Sequence, residues 1–279
     1  MITFGPGGNS LSWGKRKFPE DLPAYLGELG LNGYEIECGR GVRISEGTVK
    51  KLPEIARESG IYVTLHAPYF ISLSSVEEEK RLNSVNYILE SAKAAKSVGA
   101  QKIVVHSGSC SKMTRAEAVY LAKQTLKKAQ ETLDENGLSD IIICPETMGK
   151  INQLGTLEEV LELCGVDERF LPTVDFGHLN ARTLGGITGR ADYAKMLDLI
   201  ENELGHERLS KMHIHFSKIE YTAGGEKKHL TFADEHFGPD YKPLLEEIKA
   251  RGLSPSIICE SDGTQAEDAA EMKRYYDDL

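Results

Sequence analysis

The sequence is short of several things, and each shortage excludes a class. Its five cysteines, Cys38, Cys110, Cys144, Cys164 and Cys259, are scattered and include no Cys-x-x-Cys pair. An odd, dispersed set of thiols suits reduced side chains in a cytoplasmic protein, not a disulfide framework. No apolar run approaches the roughly 18 residues of a membrane-spanning helix. The opening Met1-Ile2-Thr3-Phe4-Gly5-Pro6 lacks the basic-then-apolar layout of a secretion signal. Basic charge is also in deficit, with 33 Lys and Arg against 43 Asp and Glu and a net charge of −10. That excludes a protein that coats nucleic acid through a dominant basic face, although a focused site with a bound cation remains compatible with it.

Three common functional signatures are missing as well. Gly5-Pro6-Gly7-Gly8 has neither the G-x-G-x-x-G spacing of a dinucleotide site nor the Lys-Ser/Thr of a P-loop. There is no G-x-S-x-G nucleophile elbow. Cys144 and Cys259 lie within apolar runs and read as buried small hydrophobes. The single tryptophan, Trp13, reads as packing under the N-terminal loop.

What is present is one alternation from end to end of the 279 residues. Apolar, β-branched runs occur at Ile2–Phe4, Gly33–Cys38, Ile61–Leu65, Lys102–Val105, Asp140–Cys144, Leu171–Val174, Lys211–Ile214 and Ser256–Cys259. Between them the periodicity is helical, over Asp21–Leu29, Ser45–Ser59, Val76–Val98, Arg115–Asn136, Leu157–Cys164, Asp192–Leu204, Tyr241–Ala250 and Ala266–Tyr276. Eight strand–helix units in this length predict a single α/β domain over residues 1–279, a (β/α)8 TIM barrel. A doubly wound open sheet shares the alternation. The barrel is preferred because polar chemistry is spread over many strand ends and not gathered at one crevice.

The third to eighth runs each end on His, Asp or Glu: His66, His106, Glu146, Asp175 with His178, His213 with His215, and Glu260. Asp234 and His236 lie between the last two runs. Any one of these alone reads as a polar strand end that caps a helix. Six in succession, brought around a mouth about 15 Å across, need either a cation or one another. Imidazole mixed with carboxylate suits Zn²⁺, and also Mn²⁺ or Fe²⁺. His213 and His215, two apart on a strand, share a face at different depths. His229, within Lys227-Lys228-His229, reads as a loop or substrate contact, and His206 as a helix-terminal surface residue.

The set resembles the endonuclease IV family of apurinic/apyrimidinic endonucleases, within the xylose-isomerase-like barrels. The likeness rests on His66-Ala67-Pro68-Tyr69, His106-Ser107-Gly108-Ser109, Glu146-Thr147, Asp175-Phe176-Gly177-His178, His213 with Ser217-Lys218, Asp234-Glu235-His236 and Glu260. It implies three zinc ions: one on His66 and His106, a second on Asp175, His213 and Glu260, Glu146 bridging these two, and a third on His178, Asp234 and His236. It further implies hydrolysis of the DNA backbone 5′ to an abasic site in a double-stranded substrate, with Glu146 steering the nucleophile. His215 stands where the family has an amide, and is expected to act on the phosphate or on a water. Tyr69 and Phe70 are expected beside the damaged base pair, and Arg40, Arg43 and Lys218 on the substrate. No membrane partner is expected, and the chain is expected to be a monomer. One alternative is a phosphodiesterase acting on a substrate other than DNA. The competing reading is a sugar isomerase or epimerase holding one divalent metal with Glu146, Asp175, His213 and Glu260. It leaves His66, His106, His178, Asp234 and His236 without a role.

Overall fold

The computed structural model describes residues 1–279. Eight parallel strands form one sheet: β1 (Thr3–Pro6), β2 (Gly33–Glu37), β3 (Tyr62–His66), β4 (Lys102–His106), β5 (Ile142–Glu146), β6 (Thr173–Asp175), β7 (His213–Phe216) and β10 (Ser256–Cys259). A separate antiparallel hairpin, β8 (Lys218–Thr222) and β9 (Gly225–Leu230), follows β7. Outside the sheet lie α1 (Leu22–Leu29), α2 (Glu46–Ser59), α3 (Glu78–Val98), α4 (Arg115–Glu135), α5 (Leu157–Cys164), α6 (Phe176–Arg182), α7 (Arg190–Leu204), α8 (His206–Lys211), α9 (Lys242–Ala250) and α10 (Gln265–Asp278).

Strand order runs β1-β10-β7-β6-β5-β4-β3-β2. The ends meet where Gly7 pairs in parallel with Glu35 and the Gly8 amide donates to the Glu35 carbonyl at 3.0 Å. An added Cβ on Gly5 would lie 2.0 Å from the Gly33 carbonyl oxygen, so only glycine lets β1 and β2 approach this closely. This closure distinguishes the barrel from the open sheet. No helix is long and apolar enough to cross a membrane.

The helices bury the faces their spacing dictates. In α3, Val85, Ile88, Ala92 and Ala95 repeat every three to four residues and are all buried. Capping boxes at Thr114 with Glu117 and at Thr156 with Glu159 satisfy the first amides of α4 and α5. All five cysteines are buried free thiols, and Trp13 is buried with its ring edge on Tyr25, 5.0 Å between centroids.

The strands depart from the sequence-based ranges in a way that matters for the site. β4 runs on to His106, β5 to Glu146 and β6 to Asp175, whereas the apolar runs stop one or two residues earlier. Ladder pairing needs extended backbone, not an apolar side chain, so the strand outlasts its hydrophobic signal. The hairpin and α6 occupy segments that read as loop in the sequence.

Candidate metal centre

The strand extensions hold the polar side chains on ladder-paired backbone. His106 pairs in register with Glu146, and Asp175 with His215. Asp175 also caps α6: its Oδ1 accepts from the His178 amide at 2.7 Å. That cap explains the Asp-x-x-His spacing, since it fixes the imidazole three residues on against the same carboxylate, with His178 Nδ1 3.2 Å from Asp175 Oδ2.

Glu146, fully buried, is the hub. Its Oε2 lies 3.4 Å from Nε2 of both His66 and His106. Its Oε1 lies 3.1 Å from His215 Nδ1 and 3.5 Å from His178 Nδ1. His215 Nδ1 is also 3.4 Å from Glu260 Oε1. Ligand-type atoms of Glu146, Asp175, His215 and Glu260 all fall within 4.8 Å of one another, as do those of His66, Glu146 and His215. Above them opens a cleft of about 400 Å³, lined also by Tyr69, Lys150, His178, Glu226 and His229.

Backbone carbonyls fix the orientation of two imidazoles. His66 Nδ1 donates to the Ala67 carbonyl at 2.8 Å and His178 Nδ1 to that of Thr147 at 2.9 Å. A carbonyl only accepts, so a neutral ring keeps its lone pair on Nε2, which His66 turns to Glu146 and His178 turns to Glu226. The charges are strongly interdependent. Burial alone would raise the Glu146 carboxyl, but His178, His215 and His66 hold it well below the usual range. Burial pushes Glu260 up to about 8, helped by Glu146, Asp175 and Glu37. Burial takes His106 down to about 3. For His66, burial is outweighed by Glu146, Glu37 and Glu35, and the ring rises to about 10.

The residues suit a divalent cation. Glu146 Oε2 and Asp175 Oδ2 are buried oxygens without a hydrogen-bond donor. Such atoms are destabilising unless something electropositive meets them. The surrounding nitrogen and oxygen donors match zinc-type ions.

Beneath the mouth lies a second buried layer. Glu35 Oε1 is 2.8 Å from His215 Nε2, and Glu35 Oε2 is 3.0 Å from His213 Nε2 and accepts from Thr64 at 2.7 Å. His213 Nδ1 meets Ser256 Oγ at 2.7 Å, and Lys102 Nζ donates to the same oxygen at 3.0 Å. Burial takes His213 down to about 4 and Lys102 down to about 8.

The expected site residues divide into those gathered and those not. His66, His106, Glu146, Asp175, His178, His215 and Glu260 converge. His213, expected with Asp175 and Glu260, sits one layer lower with Glu35, and His215 occupies the place beside those carboxylates. Asp234 and His236, expected beside His178, do not line the cleft. His236 is exposed, and Asp234 Oδ1 accepts from the His236 and Phe237 amides at 2.9 and 2.8 Å, closing its own turn. Lys218, expected on substrate, donates from Nζ to the Phe232 carbonyl at 2.9 Å and to that of Asp234. Arg40 and Arg43 lie in the β2–α2 loop, both exposed. Tyr69 and Phe70 are exposed at the rim, Tyr69 stacked on His106 at 5.4 Å and Phe70 edge-on to Tyr87 at 4.7 Å.

Sequence reasoning missed Glu35, Glu37 and Glu226. Glu35 and Glu37 alternate within Gly33-Tyr34-Glu35-Ile36-Glu37, and two carboxylates on one face of a barrel strand were a readable signal. Glu226 carried none, because the hairpin that holds it has no local signature.

The family model described as "Xylose isomerase-like TIM barrel" matches residues 23–278. An uncharacterized protein of Methanocaldococcus jannaschii is 34% identical over 275 residues, 99% of this chain and 97% of that one. A probable endonuclease 4 of Acholeplasma laidlawii is 28% identical over 206 residues, covering 72% and 68% of the two chains. Among solved structures, a D-tagatose 3-epimerase-like protein superposes with a TM-score of 0.70 at 21% identity, covering 99% and 97% of the chains. Endonuclease IV from Thermus thermophilus does so with 0.67 at 17% identity, covering 99% and 100%.

Proposed function

The chain belongs to the xylose isomerase-like TIM-barrel family, and from that premise we propose that it is a metal-dependent phosphodiester hydrolase that cleaves DNA 5′ to abasic sites. The observation that carries this reading is Glu146, with one oxygen facing His66 and His106 and the other facing His215 and His178. A carboxylate so placed suits two neighbouring cations, His66 and His106 holding one, and Asp175, His215 and Glu260 the other. Zinc is the first candidate, with Mn²⁺ or Fe²⁺ alternatives for this donor set. Cations bound there supply Lewis acidity toward a phosphodiester and lower the pKa of an attacking water.

The chain's own groups do the rest. His66 is held by the Ala67 carbonyl so that Nε2 faces the cluster. Glu146, at the centre of the cluster, would orient the attacking water between the two halves of the site. Tyr69, stacked on His106 and exposed at the rim, stands where it can enter a duplex at a position that lacks a base. Opening a duplex there takes at most roughly a few kcal/mol, because one partner is already missing. Arg40 and Arg43 supply local positive charge on a chain of net −10.

A second reading has a specific observation behind it. Glu146, Asp175, His215 and Glu260 alone bring together enough donor atoms to hold a single metal, and the D-tagatose 3-epimerase-like structure shares the fold. A one-metal sugar epimerase leaves His66 and His106 unused, and for that reason it ranks second. The test is direct: zinc-loaded protein is offered an abasic duplex, an intact duplex and a ketose. The proposal expects incision of the abasic strand far above the intact one, with binding that weakens as salt rises. Turnover of the ketose with no incision contradicts it.

A further inference from the structure

The side chains of the hairpin converge on His178. The β8–β9 tip is stitched to the loop after β5: the Glu226 amide donates to the Gly149 carbonyl at 3.1 Å, and the Ile151 amide to that of Gly224 at 3.1 Å. An added Cβ on Gly149 would lie 2.6 Å from Glu226 Cβ, 2.8 Å from its Oε2 and 3.0 Å from His178 Cδ2. Only glycine permits that approach, so the loop, the hairpin carboxylate and the imidazole are packed as one unit.

Three donors point inward from this unit. His178 spends Nδ1–H on the Thr147 carbonyl and leaves Nε2 3.6 Å from Glu226 Oε2. His229 has Nδ1 2.8 Å from Ser217 Oγ, which leaves its Nε2 for the cleft. The two rings stand 5.3 Å apart at 79°. Ligand-type atoms of all three residues lie within 4.8 Å of one another. Donors around a tetrahedral zinc at its usual bond lengths stand about 3.4 Å apart, close to the separation of His178 and Glu226. An imidazole whose second nitrogen is held by a carbonyl or hydroxyl is the usual state of a metal-ligating histidine.

We infer that His178, Glu226 and His229 form a site for a divalent, zinc-type cation. This site uses hairpin ligands where the endonuclease IV-like pattern would use Asp234 and His236. Two imidazoles and one carboxylate, with a side open to the cleft, also accommodate Fe²⁺ or Mn²⁺. The inference rests on the reading of the barrel mouth as a metal centre, but it makes a separate claim: this cation fastens the hairpin to the barrel.

Elemental analysis and amide hydrogen exchange on zinc-loaded protein test it, with His229→Ala compared against His236→Ala. The expected result is one zinc equivalent lost in His229→Ala and none in His236→Ala. Zinc should slow exchange across residues 218–230 in wild type and in His236→Ala, and not in His229→Ala. Should His229→Ala fail to fold, His229→Gln, which keeps a polar partner for Ser217, is read in its place. Full zinc content and unchanged hairpin protection in the His229 variant overturn the site while the mouth reading stands. So does an equivalent lost in His236→Ala. A wild-type protein that takes up no zinc at all overturns both.

Discussion

The strand ends and the β8–β9 hairpin carry the same kinds of side chain but fix them by different means. His66, His106, Glu146 and His215 sit on ladder-paired backbone, where neighbouring strands set position within a fraction of a residue. Glu226 and His229 reach the cleft only because a two-stranded insert folds back, with Gly149 admitting it. The strand cluster is rigid because the barrel is, whereas the hairpin's placement depends on a few loop hydrogen bonds and on whatever binds between it and His178. Perturbing the first region should therefore abolish chemistry or binding outright, and perturbing the second should loosen it.

The largest effect is expected at the hub. Glu146→Gln keeps the volume and removes the charge both halves share, so abasic-strand incision should fall by about 10²–10³ or more, the scale of a lost electrostatic element. Metal should be retained at the outer ligands, and steady-state kinetics with elemental analysis check both. Wild-type turnover in that variant breaks the assignment.

Next comes the layer below. Glu35→Gln leaves the metal-facing side of His215 untouched but removes the carboxylate 2.8 Å from its Nε2. Loss of such a partner weakens metal binding by about 10–100-fold, measurable by chelator competition on the folded variant. An unchanged affinity would show that strand geometry alone orients His215.

At the rim, Tyr69→Ala should reduce preference for abasic over intact duplex by about tenfold, within the roughly 1–3 kcal/mol of a base-stacking contact. Hydrolysis of a small phosphodiester should be nearly unaffected. Equal loss on both substrates would place Tyr69 in the structural support of His106 and not on DNA.

The smallest effect is at the barrel floor. Burial takes Lys102 from 10.5 to about 8, so between those values the unfolded chain binds the proton that the folded chain has released. Its penalty is present in full below pH 8 and disappears as pH rises toward 10.5. Wild type should thus gain stability relative to Lys102→Met across that window, by at most about 1.4 kcal/mol per pH unit. Urea unfolding at about pH 7.5 and about pH 9.5, either side of most of that window, reads the difference, and a flat difference contradicts it.

The contrast between the two regions also marks how far the sequence could be read. Strand-end His66, His106, Glu146, Asp175 and Glu260 were legible because apolar runs locate strands and a barrel turns their ends to one mouth. Choosing between His213 and His215 was not, since both face inward two residues apart, roughly 6–7 Å in depth. Register decides it: Asp175 pairs with His215, and Thr173 with His213. Glu35 falls in the same lower layer, paired with Thr64, while Glu37 pairs with His66. The Asp234-Glu235-His236 triplet matched a motif by spacing, but its placement depends on the preceding hairpin, a tertiary feature without a local signal. Lys218 illustrates the same limit, its charge being absorbed by the carbonyls of that loop.

The metal content of purified, zinc-equilibrated wild-type protein tests the central claim most directly, because it separates a shared, multi-cation mouth from a one-metal epimerase site without presuming a substrate. Three divalent cations per chain, two of them on the strand ends around Glu146, are the predicted result. A single equivalent per chain, unchanged by His66→Ala and His106→Ala, would contradict it.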